Sequence, residues 1–316
     1  MKQQLLVAEF LATPWALMPE RLNAVTTVLG RWAGSSNLSP GISEEPSNDI
    51  LAGIASDRVA RETRRQTNSA LTTGGIAVLP LYGVVTQRGN MIDEISGSGT
   101  TSTQKFSTAL RAAINDESIA QILIDIDSPG GSVYGVAELA DEIISARSQK
   151  PVIAIANSLA ASAAYWIGCC ASEFYISPGG EVGSIGVWQA HFDYSQAYAS
   201  EGVTPTLISA GKYKVEANPY APLDAEAQAF MQSRVDDYYL AFTKAVAKGR
   251  RVPIAQVRNG MGQGRVLGAE AAMALGMVDG VATFEELVQK LLKATKVSTK
   301  PTVSRLNQAI NSLALL

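Results

Sequence analysis

Between Gly74 and about Ser177 the chain alternates two kinds of pattern. Apolar runs rich in Val and Ile, such as "GGIAVLPLYGVVT" (74–86), "IAQILIDIDS" (119–128) and "PVIAIAN" (151–157), have the length and composition of buried strands. Between them lie segments with apolar residues at helical spacing. In "QKFSTALRAAIND" (104–116), Phe106, Leu110, Ala113 and Ile114 share one face, and Ser102 or Thr103 is placed to cap the first turn. "VYGVAELADEIISAR" (133–147) is a second amphipathic helix, and "EFYIS" (173–177) a further short strand. Fully apolar strands alternating with helices predict βαβ units: an α/β fold with a parallel sheet covered by helices.

Outside this stretch the pattern changes. Residues 1–33 read as partly helical, and "GSSNLSPGISEEPSND" (34–49) as a mobile polar linker. "RVARETRRQ" (58–66) reads as a solvated basic helix face, with a docking surface for an acidic partner as the sharper alternative. The stretch "ISGSGTTSTQ" (95–104) reads as a loop. The expected organisation is an N-terminal helical segment and linker over 1–73, one α/β domain over 74–294, and a tail over 295–316.

Composition narrows the function classes. The chain has 316 residues, 47% hydrophobic and 17% charged, enough for a sizeable core. A formal net charge of −3 and a pI near 5.4 point away from nucleic-acid and membrane-surface binding. No apolar run reaches the ~20 residues of a membrane helix. Glu9, Pro14 and Pro19 interrupt what would otherwise resemble a signal peptide. These features predict a cytoplasmic protein. The two cysteines, Cys169 and Cys170, are adjacent and read as buried reduced thiols; two ligands make no zinc site, and no cofactor is expected.

In parallel α/β folds, sites gather at the C-terminal ends of strands. Two turns lie there: "DSPGGS" (127–132), and the turn before Ser162 in "NSLAASAAYWIGCC" (157–170). Gly130 and Gly131 let backbone N–H groups approach a ligand, and such donors stabilise an oxyanion. The N–H of Ala163, just after a serine nucleophile, is a second donor. The same small residues would also suit simple helix packing. A base for Ser162 could be the single histidine, His191, or a lysine. A lysine base has to lose about three pKa units, roughly 4 kcal/mol of desolvation. "SAGKYKVEANPY" (209–220) offers Lys212 and Lys214, and spacing does not choose between them.

Taken in order, "DSPGG", "AASAAYW", "GEVGSIGV", "GKYKVEANPY" and "RVLGAEAAMALGMVDGV" resemble the SppA-type serine peptidases, which have the Clp protease/crotonase fold and a Ser–Lys dyad. The likeness spans about 74–292. "KVEANPY", "QSRVDD" and "GIAVLP" are most similar to the family's phage branch, the head-maturation proteases of lambda-like phages. The resemblance implies Ser162 as nucleophile, Lys214 as base, Gly131 and Ala163 as oxyanion donors, and Gly130 and Ser184 in support. It departs from many members in having "SAAY" where they have "SGGY". It further implies protein substrates such as scaffold, portal or capsid proteins, or the chain itself, and a homo-oligomeric ring. Two other functions remain consistent with the pattern: a host-type signal peptide peptidase, and a crotonase-like acyl-CoA enzyme without the nucleophile.

Overall fold

A computed structural model describes residues 13–18, 71–73, 75–88 and 100–298. The linker 34–49, the basic stretch 58–66 and the tail from 299 lie outside the described residues.

The main sheet is built as the apolar runs predict. Strands β3 (Ile76–Tyr82), β6 (Gln121–Ser128) and β8 (Val152–Ala161) run parallel, with Leu79 opposite Ile124 and Ile124 opposite Ala154. β2 (Leu71–Thr73) pairs antiparallel with β3 at one edge. β8 is long and changes neighbour along its length. Its first half pairs with β9 (Glu173–Ile176), and Leu159 to Ala161 pair with β10 (Glu181–Gly183). The sheet therefore splays at the C-terminal end of β8, where Ser162 begins.

Alternation along the strands feeds two cores. Ile122, Ile124 and Ile126 face the larger one, which α1 (Thr103–Asn115), α2 (Val136–Ala146), α3 (Ala163–Gly168) and, after the short α4 (Ser195–Ser200), the long α5 (Ala225–Arg250) cover. Ser102 caps α1, accepting from the Lys105 N–H at 3.3 Å, and Phe106, Leu110 and Ala113 are buried. Leu123, Ile153 and Ile155 face the other side. There they meet Leu287 and Leu291 of α8 (Phe284–Ser298), which follows α6 (Ile254–Gly260), β11 (Val266–Gly268), α7 (Ala269–Ala274) and β12 (Gly280–Val281). Each such aliphatic side chain, once buried, stabilises the fold by about 1.5–3 kcal/mol.

A second, four-stranded sheet lies against the first, in the order β1 (Trp15–Leu17), β7 (Gly130–Ser132), β4 (Val84–Thr86), β5 (Thr100–Ser102). It departs from the sequence reading at three points. Within the segment read as helical, Trp15–Leu17 is strand. Within the expected loop 95–104, Thr100–Ser102 is strand. The Gly-Gly turn continues as strand. In each case the partner is remote: β1 pairs with β7, and β5 with β4. Local periodicity carries no signal for such pairing.

Candidate active site

Ser162 sits at the junction of β8 and α3. Its backbone has φ 56° and ψ −118°, a region that L-residues avoid. Strain of this kind persists only where surrounding structure enforces it, and it clusters at functional sites. Here the enforcement is visible. The Ser162 N–H donates to the Gly183 carbonyl at 2.7 Å, and the Ser162 carbonyl accepts the Trp166 N–H at 2.9 Å. The residue is 1% exposed. The next residue, Ala163, opens α3, so its N–H is one of the donors that a helix start leaves without an intrahelical acceptor.

α3 is only six residues long and entirely buried, and side-chain anchors hold it. Trp166 stacks on Phe242 of α5 at 4.7 Å between ring centroids, and the Tyr165 hydroxyl donates to the Met277 carbonyl at 3.0 Å. Cys169 and Cys170 are free and buried; both thiols donate to the Trp166 carbonyl. Burial pushes the Cys169 thiol well above its ordinary range, which makes it chemically quiet.

The two glycines are required for different reasons. Gly130 has φ +97°, and a Cβ there would meet the Ser162 Cβ at 2.9 Å and the Ala161 carbonyl oxygen at 3.0 Å. Its backbone therefore packs directly against Ser162, and its N–H donates to the Ser128 hydroxyl at 3.2 Å. Gly131 instead lets β4 approach: a Cβ there would lie 1.9 Å from the Val85 carbonyl oxygen. Ser184, at φ 53°, follows Gly183 and donates its N–H to the Arg265 carbonyl at 2.8 Å. Ser162, Ala163, Gly130 and the Gly183–Ser184 turn thus come together at the splayed end of the sheet.

Lys214 is not brought to them. It lies on an exposed turn, where its N–H donates to the Gly211 carbonyl, and its side chain makes no hydrogen bond or ion pair with a described residue. Lys212, two residues earlier, is bound to the Tyr213 hydroxyl at 2.8 Å and to Glu226 at 2.9 Å. Those hydrogen bonds push its pKa up, the wrong direction for a base. His191 engages the Asn218 carbonyl through Nε2 at 3.1 Å, not Ser162. Among the described residues no group of three or more His, Cys, Asp or Glu could hold a metal, and no helix is long and apolar enough to cross a membrane.

One feature of the site has no counterpart in the sequence reading. β1 lies beside Gly130, between β7 and Trp188. The available signal was "TPWALMP": Pro14 and Pro19 bracket a short apolar run, and residues before proline favour extended backbone.

Residues 144–298 match the family model described as peptidase family S49. The head-tail preconnector protein GP5 of Enterobacteria phage P21 is 32% identical over 281 residues, which cover 86% of this chain and 52% of that protein. The capsid assembly protease C of Escherichia phage lambda is 33% identical over 236 residues, covering 74% of this chain and 53% of that one. The chain thus spans about half the length of these curated relatives. Among solved structures, a ClpP1 mutant from Listeria monocytogenes superposes with a TM-score of 0.42 at 15% identity, covering 66% of this chain and 92% of that one. The matched stretch includes Ser162, Lys214 and the helix α5 that anchors the site, and the chain belongs to peptidase family S49.

Proposed function

We propose that the chain is a serine endopeptidase of phage capsid assembly, using Ser162 as nucleophile and Lys214 as general base. The observation that carries this reading is the Ser162 backbone: a strained serine at the end of a central parallel strand, with Gly130 packed on it and the Ala163 N–H beside it. In the proposed reaction the lysine amine takes the Ser162 hydroxyl proton as Oγ attacks a peptide carbonyl. The N–H groups of Gly131 and Ala163 hold the oxyanion. The C–N bond then breaks, and the lysine returns the proton to the leaving amine. Water, deprotonated by the same lysine, hydrolyses the acyl-serine ester.

A lysine base needs an apolar, water-poor setting, and the turn that carries Lys214 is exposed in the single chain. The surrounding segment also exposes large apolar side chains: Phe192, Leu207, Tyr213, and Ile208 at 97%. Apolar surface of this kind suits burial against another copy. This supports a homo-oligomer in which assembly desolvates Lys214 and brings it to a Ser162. The substrates proposed are head proteins, namely scaffold, portal, capsid protein or the chain itself, cut in the host cytoplasm within the assembling shell. The similarity to the two phage proteins supports that class.

Co-expression of the chain with the neighbouring scaffold and portal proteins tests the proposal. Wild type should cut at least one of them, and Ser162→Ala should leave both intact. Cleavage confined to leftover signal peptides would point instead to the host-type function. No Ser162-dependent cleavage of any protein would leave the non-peptidase function standing.

A further inference from the structure

The strand β1 is held like a bound peptide. On one side it pairs antiparallel with β7, Leu17 opposite Gly130 and Trp15 opposite Ser132. On the other side Trp15 exchanges both backbone hydrogen bonds with Trp188, at 2.8 and 3.0 Å. The ends are tied as well. Trp188 Nε1 donates to the Leu17 carbonyl at 2.8 Å, and the Met18 N–H donates to the Pro129 carbonyl at 3.2 Å. Trp15, Ala16 and Leu17 are 3%, 0% and 1% exposed.

Both walls of this slot belong to the Ser162 site. β7 carries Gly130 and Gly131, and Trp188 follows closely on Ser184. β1 also lies against the nucleophile itself. The Ala16 carbonyl oxygen is 2.2 Å, and the Ser162 Cβ 2.9 Å, from the single point where a Gly130 Cβ would stand. Extended peptides bind proteins by adding a strand to an exposed edge, with main-chain hydrogen bonds supplying affinity. A protein substrate threaded past Ser162 would use the two edges that β1 already fills.

We infer that β1 is an intrinsic occupant of the peptide groove: an autoinhibitory strand that a protein substrate has to displace before it reaches Ser162. The inference rests on the peptidase reading of Ser162. It makes the resting chain self-blocked, with its own residues 15–17 in place of an extended substrate segment.

Ala16→Pro tests this. Proline at 16 removes the N–H on the side that faces β7 and leaves Trp15 and its bonds to Trp188 in place. With casein as the unfolded protein substrate, Ala16→Pro should cleave it with a kcat/KM at least about tenfold higher than wild type, a change of about 1.4 kcal/mol in groove occupancy. A folded Ala16→Pro variant that cuts casein no faster than wild type, while wild type shows Ser162-dependent cleavage, overturns the inference. If neither protein shows Ser162-dependent cleavage, the peptidase reading itself fails. Because β1 packs into the core, Ala16→Pro could unfold the chain. Hydrogen exchange on Ser162→Ala covers that case. Casein, at the concentration that saturates wild-type cleavage, should speed exchange at the Trp15 amide and leave the Trp188 amide protected. Unchanged protection of Trp15 under saturating casein also overturns the inference.

Discussion

Replacing Gly249 by alanine sets two known effects against each other. Gly249 lies in the last turn of α5, where α5 crosses the end of the helix that begins at Ser162. Helix propensity alone favours the change: alanine is better than glycine inside a helix by about 1 kcal/mol. Packing opposes it. A Cβ at 249 would stand 2.3 Å from the Cys169 carbonyl oxygen, 2.9 Å from the Cys169 carbonyl carbon and 3.3 Å from the Cys170 Cα. All three are backbone atoms of a fully buried segment, so no side chain can swing away. Relief requires α5 and α3 to part by about 1 Å, and overpacking a core in this way costs about 1–3 kcal/mol. The same movement strains the Trp166–Phe242 stack at 4.7 Å, the contact that ties α5 to the Ser162 helix. The 2.3 Å approach to backbone puts the packing cost in the upper half of that range, so packing should win, with Gly249→Ala destabilised by about 1–2 kcal/mol after the propensity gain. For a chain this long that is a drop of several degrees in Tm. Thermal and urea denaturation read the change directly. A Tm equal to or above wild type would mean that propensity prevails and that the close approach of α5 to Cys169 is wrong.

Three further changes probe other parts of the structure. Ser162→Gly should be more stable than Ser162→Ala by about 1 kcal/mol in urea denaturation, because glycine relieves the positive φ that alanine retains; equal stabilities would refute the strain. Asp279 binds Arg250 through two hydrogen bonds, at 2.7 and 2.8 Å, with the Arg250 side chain only 6% exposed. Burial alone would raise the Asp279 pKa, but Arg250 and the Phe174 N–H outweigh it and hold the carboxyl below its ordinary value. Its contribution is therefore present above about pH 4 and lost as pH falls through the lowered native pKa. Asp279→Asn should cost about 2 kcal/mol near neutrality, discounted for the partial exposure of the aspartate, and the cost should shrink in acid. Asp125 has the opposite sign. Burial raises its pKa despite the hydrogen bond from the Tyr82 hydroxyl, so its contribution is greatest below about pH 4 and is lost as pH rises through the native pKa. The stability of Asp125→Asn relative to wild type should therefore rise from pH 4 to pH 8, and a pH-independent difference would contradict the burial argument.

Much of the site was legible because it is built from local signals. Buried parallel strands announce themselves as unbroken apolar runs, so β3, β6 and β8 and the position of Ser162 after β8 could be read directly. The Gly130–Gly131 pair stood out because glycines at a strand end serve close backbone approach. What could not be read is non-local. The Trp15–Leu17 strand finds its partner more than a hundred residues away, and no periodicity in three residues announces that pairing. Gly131 looked like part of a turn, yet its lack of a side chain serves the approach of Val85. The pairing of Lys212 with Glu226, on α5, is likewise invisible to local spacing. Nor could local pattern show that the turn carrying Lys214 is exposed and makes no hydrogen bond to Ser162 within one chain.

The central claim is that a lysine, and not the lone histidine, activates Ser162. Cleavage of one protein substrate by purified wild type, Ser162→Ala, Lys214→Ala and His191→Ala, each checked for fold and assembly, tests it most directly. Ser162→Ala and Lys214→Ala should each lose at least about a thousandfold in kcat/KM, a barrier change of about 4 kcal/mol, while His191→Ala stays within a few-fold of wild type. Near wild-type cleavage by Lys214→Ala together with loss in His191→Ala, or persistent cleavage by Ser162→Ala, would contradict it.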